Sequence, residues 1–370
     1  MSRCRGMGWL NGLRRAIMAA TIAWAGTANA EPVQLNVIGG LGNVSQYTRF
    51  EEPFWTREIA TLSRGRLTAR IHAFDQAGLR AQEMLHLMQT GVVPLGTILV
   101  SLAGEEPELN ALDLAGLNPD FASLRRTASA LRPRIATLLA EKYGLELLSI
   151  YIYPAQVVFC KKPFHQLSDL SGRRIRTSAI GQSELFSAIG AIPVQTAFSE
   201  TVPVIVKGLA DCAVTGTLSG NQIGLHDVTS HIHGMAITWG VSVFAAHAAF
   251  WHAIPDDLQA VLRAGIADLE HRIWDSAEAE TRAGMACNLG QPTCTTGRRG
   301  QMRLVPAAPE DEALRRRLLV DTVLPRWIAR CGANCARTWN EILAEPTGIA
   351  VVEPQDGGPV RAVPVPAPIR

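Results

Sequence analysis

Residues 166–211 read QLSDLSGRRIRTSAIGQSELFSAIGAIPVQTAFSETVPVIVKGLAD and alternate strand-like segments with helix-like ones. In chain order they are a turn at 168–172, a strand that carries Arg176, a helix at 182–189, a strand at 192–196 and a helix at 200–208. The first helix is expected to end before Gly190, because glycine readily adopts the left-handed conformation of a helix C-cap. Strand–helix–strand–helix is the order of a parallel sheet covered by helices, so this stretch predicts an α/β fold.

Arg176 lies near the carboxyl end of the first of these strands. Open α/β sheets bind their ligands beyond the carboxyl ends of the strands. A guanidinium at that position can hold both oxygens of a carboxylate in a planar fork. The alternative is a solvated surface arginine, which suits the neighbouring Arg173 and Arg174. The pattern makes Arg176 a candidate ligand residue and leaves the surface role open.

Five motifs carry a resemblance to a known family. They are Asp169-Leu170-x-Gly172-x-x-Ile175-Arg176, Gly190-Ala191-x-Pro193, Ala197-Phe198-Ser199-Glu200, Gly208-Leu209-Ala210-Asp211 and Phe250-Trp251-x-x-Ile254-Pro255-x-x-Leu258-Gln259. In order and spacing they are similar to the substrate-binding proteins of TRAP transporters, the tripartite ATP-independent periplasmic transporters. The chain resembles this family over roughly residues 33–290, most closely over 145–262.

The resemblance implies a two-lobed α/β fold of the type II periplasmic binding protein kind. Each lobe is expected to hold a mixed, mainly parallel sheet flanked by helices, and a long helix starting at Pro255 is expected to span both lobes. The expected division is lobe 1 at 31–152 plus about 241–280, lobe 2 at about 153–240 plus 281–345, and a disordered tail at 353–370. The tail is predicted because it holds Pro, Gly and Val without a packing pattern.

The first thirty residues have the features of a secretory signal peptide. Four arginines precede an apolar stretch at 16–25, and Ala28-Asn29-Ala30 forms an A-x-A cleavage site. The apolar stretch is shorter than the ~20 residues that a membrane-spanning helix needs. We therefore expect cleavage after Ala30 and a mature protein that is free in the periplasm.

Charge and motif content exclude several classes of function. Without residues 1–30, Lys+Arg falls from 35 to 31 against 33 Asp+Glu, so the net charge is near −2. This balance gives no reason to expect nucleic acid or an anionic membrane surface as a partner. The chain also has no Gly-x-Ser-x-Gly elbow and no recognised Cys–His signature. We therefore expect no enzyme activity, no cofactor and no metal.

The resemblance implies a solute-binding protein that captures a small organic carboxylate by closure of its lobes. The closed form would deliver the ligand to a TRAP-type membrane permease, and a monomer is expected for such a shuttle. The alternative is a ligand-sensing periplasmic protein that presents the closed form to a receptor. Both use the same binding site, so the sequence leaves the choice between them open, together with the identity of the carboxylate.

The resemblance also implies ligand-binding roles at specific positions. Arg176 matches the arginine that forms a two-pronged salt bridge with the substrate carboxylate. Phe198 matches an aromatic residue that walls the cleft, with core packing as its alternative. Thr215 falls where an asparagine often touches the carboxylate, and its hydroxyl can still bind one oxygen. Gln156 replaces an arginine of the sialic acid-binding members, which argues against a densely charged sugar acid.

Further candidates come from loops near the predicted cleft. The glycine-rich turn 39–42 lacks the Lys-Ser/Thr of a P-loop. Its expected role is to let backbone amides and Asn43 approach the ligand. The segment 95–102 is expected as a buried strand that faces the cleft. Tyr151, Tyr153 and Trp239 lie near the predicted crossings and suggest an amphipathic or partly apolar ligand wall, although buried aromatic residues at hinges are commonly structural.

The cysteines of the exported chain predict disulfides. They are Cys160, Cys212, Cys287, Cys294, Cys331 and Cys335. An even number in an oxidising compartment favours bridges, and the simplest local pairs are Cys287 with Cys294 and Cys331 with Cys335. Cys160 and Cys212 fall on predicted strands of lobe 2, where they are either bridged or buried as free thiols. A zinc site at the last four is the competing interpretation, although their spacing is loose.

Overall fold

The computed structural model describes residues 31–352 and 361–365. Its strands are β1 Val33–Gly39, β2 Leu67–Ala73, β3 Leu95–Leu99, β4 Leu145–Tyr151, β5 Gln156–Cys160, β6 Arg174–Thr177, β7 Ile192–Gln195, β8 Cys212–Gly216, β9 His231–His233, β10 Ser242–His247, β11 Arg303–Val305, β12 Ile349–Val352 and β13 Arg361–Pro364.

The α-helices are α1 Ile59–Leu62, α2 Met84–Gln89, α3 Phe121–Tyr143, α4 Ile180–Ala188, α5 Thr201–Val206, α6 Thr217–Gln222, α7 Leu225–Val228, α8 Ala248–Ala253, α9 Asp256–Asn288, α10 Pro309–Leu318, α11 Leu324–Cys331, α12 Ala333–Thr338 and α13 Ala344–Thr347. Short π-helical segments span Gln46–Glu51, Phe54–Glu58, Leu319–Val323 and Trp339–Leu343. Short 3-10 segments span Ala81–Glu83, Val100–Leu102, Pro107–Asp113, Leu167–Leu170 and Phe198–Glu200.

Each lobe is built on its own mixed sheet. The lobe 1 sheet has the order β2-β1-β3-β10-β4, in which β1 runs parallel to β2 and β3, and β10 runs antiparallel to β3 and β4. The lobe 2 sheet has the order β11-β9-β5-β8-β6-β7, in which β6 runs parallel to β7 and β8, and β5 runs antiparallel to β8 and β9. The predicted two-lobed α/β fold is confirmed.

Helix α9 packs along both lobes. Its apolar residues at helical spacing are buried in the core of lobe 1, namely Leu258, Leu262, Ile266, Leu269 and Ile273. Further along, Gly284 lies so close to the backbone of Leu218 in α6 that a Cβ atom would clash. Asn288 Nδ2 then donates to the carbonyl of Thr217 at 2.9 Å. The long helix predicted to begin at Pro255 therefore packs against elements of both lobes.

Helix α9 carries the chain from lobe 1 to lobe 2, and two shorter connections also cross between the lobes, one from β4 to β5 and one from β9 to β10. They are hydrogen-bonded to each other, since Tyr153 N donates to Trp239 O at 3.2 Å and Gln156 N donates to Thr238 O at 2.8 Å. The two shorter crossings therefore form one hydrogen-bonded pair rather than two independent loops, and we call this pair the hinge.

The C-terminal helices α10–α13 contact both lobes. Trp327 Nε1 donates to the carbonyl of Pro107 on the lobe 1 side at 2.6 Å. On the lobe 2 side, Leu167 N donates to Asp311 Oδ1 at 2.7 Å. We predicted 281–345 as a part of lobe 2, and these contacts extend that segment onto lobe 1.

The end of the chain differs from the predicted disordered tail. Strand β13 pairs antiparallel with β12, with Ile349 opposite Pro364 and Val351 opposite Ala362. Ile349 and Val351 are buried, and Ala362 packs against the same core. Burial of these apolar side chains stabilises the ladder, so the prediction fails at 361–364. The rest of the tail, 353–360 and 366–370, lies outside the described residues.

The predicted signal peptide, residues 1–30, also lies outside the described residues. Within the described ranges, no helix combines the length and the apolar character that crossing a bilayer requires.

All six cysteines of the described ranges are bridged, in the pairs Cys160–Cys212, Cys287–Cys294 and Cys331–Cys335. The two predicted local pairs are confirmed. Cys160 and Cys212 lie opposite each other in the antiparallel pairing of β5 and β8, and this pairing brings together two residues 52 positions apart in the sequence. The choice left open by the sequence is thereby resolved in favour of a bridge.

Replacing Cys160 and Cys212 together by alanine is expected to lower the free energy of unfolding by roughly 4 kcal/mol, because a bridge across 52 residues strongly restricts the unfolded chain. The matched double replacement of Cys331 and Cys335, only four residues apart, is expected to cost roughly 2 kcal/mol. Urea unfolding of both variants measures the difference. Equal losses would contradict the role assigned to loop length.

Candidate functional site

An open cleft of about 940 Å³ lies between the lobes. This is within the range of small-molecule sites, about 300–1,000 Å³. The apolar residues of the lobe 1 wall include Leu41, Phe74, Leu79, Leu99 and Leu102. The lobe 2 wall includes Gln156, Arg176, Phe198 and Thr215. Four of the six predicted ligand residues therefore line a single cleft.

Arg176 is a buried cation that has no ion-pair partner within the described ranges. It is 1% exposed, and strand β6 holds its backbone between β7 and β8. Its hydrogen bonds go to neutral acceptors: Nε to Thr196 Oγ1 at 3.2 Å, Nη2 to Thr196 O at 2.8 Å and Nη1 to Val214 O at 3.1 Å. A guanidinium has five N–H groups, so each terminal nitrogen keeps one N–H for another acceptor.

Burial lowers the pKa of Arg176 from its ordinary value to about 10. The lowering reflects the desolvation of the charge. Because this pKa is still well above 7, the guanidinium stays charged at neutral pH. The cleft therefore contains a fixed positive charge with free donors.

Thr215 and Phe198 border the same part of the cleft. Thr215 is 3% exposed and follows Val214, whose carbonyl Arg176 contacts. Its hydroxyl makes no hydrogen bond to any of the residues that the structure describes. Phe198 is half-buried and opens the 3-10 segment Phe198–Glu200. A free hydroxyl and a guanidinium beside an aromatic ring can receive an anionic group with an attached apolar body.

Gln156 is held in one orientation by its neighbours. Its Oε1 accepts from Thr238 Oγ1 at 2.7 Å and from Gln182 Nε2 at 2.6 Å. Gln182 is itself fixed, since its Oε1 accepts from Ser178 N at 2.9 Å. The amide nitrogen of Gln156 is left without a protein partner in the described ranges. Gln156 therefore offers the cleft a hydrogen-bond donor but no charge.

Two predicted residues do not line the cleft. Asn43 is exposed to solvent and is not one of the residues that line the cleft. Trp239 is buried in the hinge, where its Nε1 donates to Asn118 O at 2.9 Å and its ring meets Phe121 edge-to-face at 5.9 Å. These two contacts hold the indole in the core and away from the cleft. The structural alternative for Trp239 is therefore correct.

The backbone amides of the glycine-rich turn are also not free for a ligand. Gly40 N donates to Glu51 Oε2 at 2.8 Å, Leu41 N to the Tyr153 hydroxyl at 3.3 Å and Gly42 N to Asp75 Oδ1 at 3.0 Å. The turn contributes the side chain of Leu41 to the cleft instead. The expected approach of its amides to a ligand is wrong.

Several cleft residues carry no local sequence signal. Leu99 and Leu102 come from the end of β3 and the turn after it, as the predicted strand at 95–102 indicated. Tyr153, expected with Tyr151 and Trp239 at the predicted crossings, also lines the cleft, whereas Phe74 and Leu79 reach it only through the assembly of distant segments. Within the described part of the chain, no three His, Cys, Asp or Glu side chains come together as a metal site would require.

Glu51 is hydrogen-bonded to the glycine-rich turn 39–42, which places Leu41 in the cleft lining. It is fully buried and accepts from Gly40 N and, at 2.6 Å, from Gln46 Nε2. Burial raises the pKa of Glu51 from 4.5 to about 7, against the opposing effect of these two hydrogen bonds. The folded protein therefore holds a proton that the unfolded chain has already released between pH 4.5 and 7.

The free energy of unfolding is expected to fall by about 3 kcal/mol from this group as the pH rises from 4.5 to 8. The variant Glu51→Gln should lose that part of the pH dependence, because its side-chain amide does not titrate. The variant should still fold, since Gln46 can turn its amide and present its unpartnered Oε1 to the new amide. Urea unfolding at pH 5 and pH 8 measures the effect, and Glu52→Gln on the exposed neighbour is the matched control. An unchanged slope in Glu51→Gln would contradict the assignment.

Comparison with known families identifies this architecture. The model of the family described as bacterial extracellular solute-binding protein, family 7, matches residues 45–286. No curated protein matches the chain.

Solved structures share the fold at low sequence identity. An extracytoplasmic solute receptor from Bordetella pertussis that binds pyroglutamic acid is 21% identical with a TM-score of 0.73, over 83% of this chain and 98% of that one. A TRAP periplasmic solute-binding protein from Desulfovibrio salexigens with bound orotic acid is 15% identical with a TM-score of 0.71, over 86% and 99%. Another from Rhodoferax ferrireducens with bound malonate is 18% identical with a TM-score of 0.71, over 85% and 98%.

Proposed function

The chain belongs to the bacterial extracellular solute-binding proteins of family 7, and from this premise we propose that it captures a small organic carboxylate by closure of its lobes and delivers it to a TRAP-type membrane permease. The proposal places the mature protein in the periplasm as a monomer, after cleavage behind Ala30. Its ligand residues are Arg176, Thr215, Gln156 and Phe198.

The observation that carries the proposal is the buried, uncompensated charge of Arg176. Desolvation of an ion costs several kcal/mol, and a charge is usually buried only with a partner. Here the protein supplies three neutral acceptors and leaves two N–H groups on the cleft's guanidinium. A carboxylate would satisfy both N–H groups in a bidentate pair and neutralise the charge.

Closure follows from the position of the walls. The buried cation Arg176 and the donors Gln156 and Thr215 lie on lobe 2, and most of the large apolar side chains of the lining lie on lobe 1. A ligand that contacts both walls binds the closed form more tightly than the open form, and it shifts the hinge equilibrium towards closure. The solved structures with bound pyroglutamate, orotic acid and malonate support an acid as the ligand class.

A thermal-shift comparison of small carboxylic acids with their amides tests the proposal on residues 31–370. An acid that binds is expected to stabilise the protein by about 2.7 kcal/mol at a concentration one hundred times its Kd. The matching amide lacks the charge and should give no shift. Stabilisation by neutral sugars, phosphate or metal ions without any response to acids would overturn the carboxylate assignment.

A further inference from the structure

Resting on the proposed function, we propose that the ligand is a monocarboxylate whose remaining part is mainly apolar. The inference comes from the charges and apolar side chains that line the cleft together with Arg176. It narrows the ligand class, because a dicarboxylate carries a second negative charge.

The cleft has charge compensation for one carboxylate. In the described ranges, its lining contains two cationic residues, Arg176 and Arg80. Arg80 lies at the solvent-exposed rim and is already paired with Glu83. A second carboxylate would therefore find no free cation, and its desolvation would not be compensated.

The remaining charged groups of the lining are acidic and lie on lobe 1. Asp75 uses Oδ1 to accept from Gly42 N at 3.0 Å, and Glu105 has neither an ion-pair nor a hydrogen-bond partner within the described residues. At an effective dielectric constant near 20, like charges several ångströms apart repel enough to change an affinity tenfold. These carboxylates therefore disfavour a ligand with a second negative charge.

Apolar side chains also line the cleft. Leu41, Phe74, Leu79, Leu99 and Leu102 come from lobe 1, and Phe198 comes from lobe 2. Such surfaces gain from burying hydrocarbon and lose from burying an unpaired carboxylate. On lobe 2, Arg176 lies opposite Ala213, so Thr215, two residues further along β8, lies on the same face of the sheet. One head group can therefore use the donors of both residues.

Matched acids that differ only at the far end test this inference by isothermal titration calorimetry. The linear set is hexanoate, adipate and 6-aminohexanoate, and the aromatic set is phenylacetate, 4-carboxyphenylacetate and 4-(aminomethyl)phenylacetate. In the set that fits the cleft, the monocarboxylate is expected to bind at least tenfold more tightly than the dicarboxylate. The amino acid is expected to bind more tightly than the dicarboxylate, because Asp75 and Glu105 attract an ammonium group and repel a carboxylate. A dicarboxylate that binds as tightly as the monocarboxylate or the amino acid would overturn the inference.

Two variants identify the cause of the selectivity. Glu105→Gln removes one repelling charge and is expected to narrow the ratio between monocarboxylate and dicarboxylate affinity several-fold. Leu99→Lys adds a cation to the lobe 1 wall and is expected to reverse the preference. Glu310→Gln, on helix α10 and outside the cleft lining, is the matched control for the lost charge. An unchanged ratio in both Glu105→Gln and Leu99→Lys would contradict the electrostatic explanation.

The outcomes separate this inference from the proposed function. Tight binding of a dicarboxylate that depends on Arg176 would leave carboxylate capture intact and remove only the monocarboxylate assignment. Failure of every acid in both sets, while a neutral compound binds, would remove both.

Discussion

Arg176→Ala is expected to weaken carboxylate binding by at least a hundredfold while the protein stays folded. Removing one partner of a buried ion pair costs about 3–5 kcal/mol, and each 1.4 kcal/mol corresponds to a factor of ten in Kd. The effect is large because Arg176 is the buried cation of the cleft lining and its free N–H groups are fixed by bonds to Thr196 and Val214. Calorimetric titration with the acid found by thermal shift measures the loss.

Three further substitutions separate binding from folding. Arg176→Lys should also bind poorly, since an ammonium group cannot reproduce the planar fork. Without ligand, the free energy of unfolding of Arg176→Met should lie within about 1 kcal/mol of that of the wild type, because the substitution replaces an uncompensated buried charge by an apolar chain. Arg173→Ala, three residues earlier, is the matched control outside the cleft lining, since its guanidinium donates to the carbonyls of Lys162 and Pro163 and stacks over the ring of Phe164. Normal binding by Arg176→Ala or Arg176→Lys would show that the carboxylate lies elsewhere.

The lobe 2 side of the cleft could be predicted because its signals are local. Arg176 lies near the end of a short strand, and Thr215 and Phe198 lie within or just after motifs of fixed spacing. Turn residues, helix ends and strand lengths within about 50 residues set their positions in the sheet. Their placement in one cleft agrees with the predicted site, and their ligand roles remain predictions.

The lobe 1 side and the hinge could not be predicted in the same way. Tyr153 meets Leu41 across 112 residues, and Asp113 meets Trp239 across 126 residues. No period or motif encodes such contacts, because they depend on how separate layers pack. Trp239 illustrates the same gap: its position near the crossing was inferred correctly, but the direction of its ring depends on Phe121.

Asp113→Ala is expected to destabilise the fold by roughly 5 kcal/mol, because it leaves three buried N–H groups of the hinge without an acceptor. Asp113 is buried and accepts from Trp239 N at 2.8 Å, Gly240 N at 2.8 Å and Val241 N at 3.3 Å. Each orphaned N–H costs about 1–3 kcal/mol. Urea unfolding at pH 8 measures the loss with the carboxylate ionised, since burial raises the pKa of Asp113 to about 7.

The same carboxylate also determines how firmly the returning crossing is held to lobe 1. Amide hydrogen exchange at Trp239 and Gly240 should therefore accelerate in Asp113→Ala even where the rest of lobe 1 remains protected. Asp120→Ala is the matched control, because that aspartate accepts one N–H, from Ser123, at an exposed helix N-cap and should cost about 1 kcal/mol. If both variants lost the same stability, Asp113 would not be the anchor of the hinge, and lobe closure would have to pivot on the crossing strands alone.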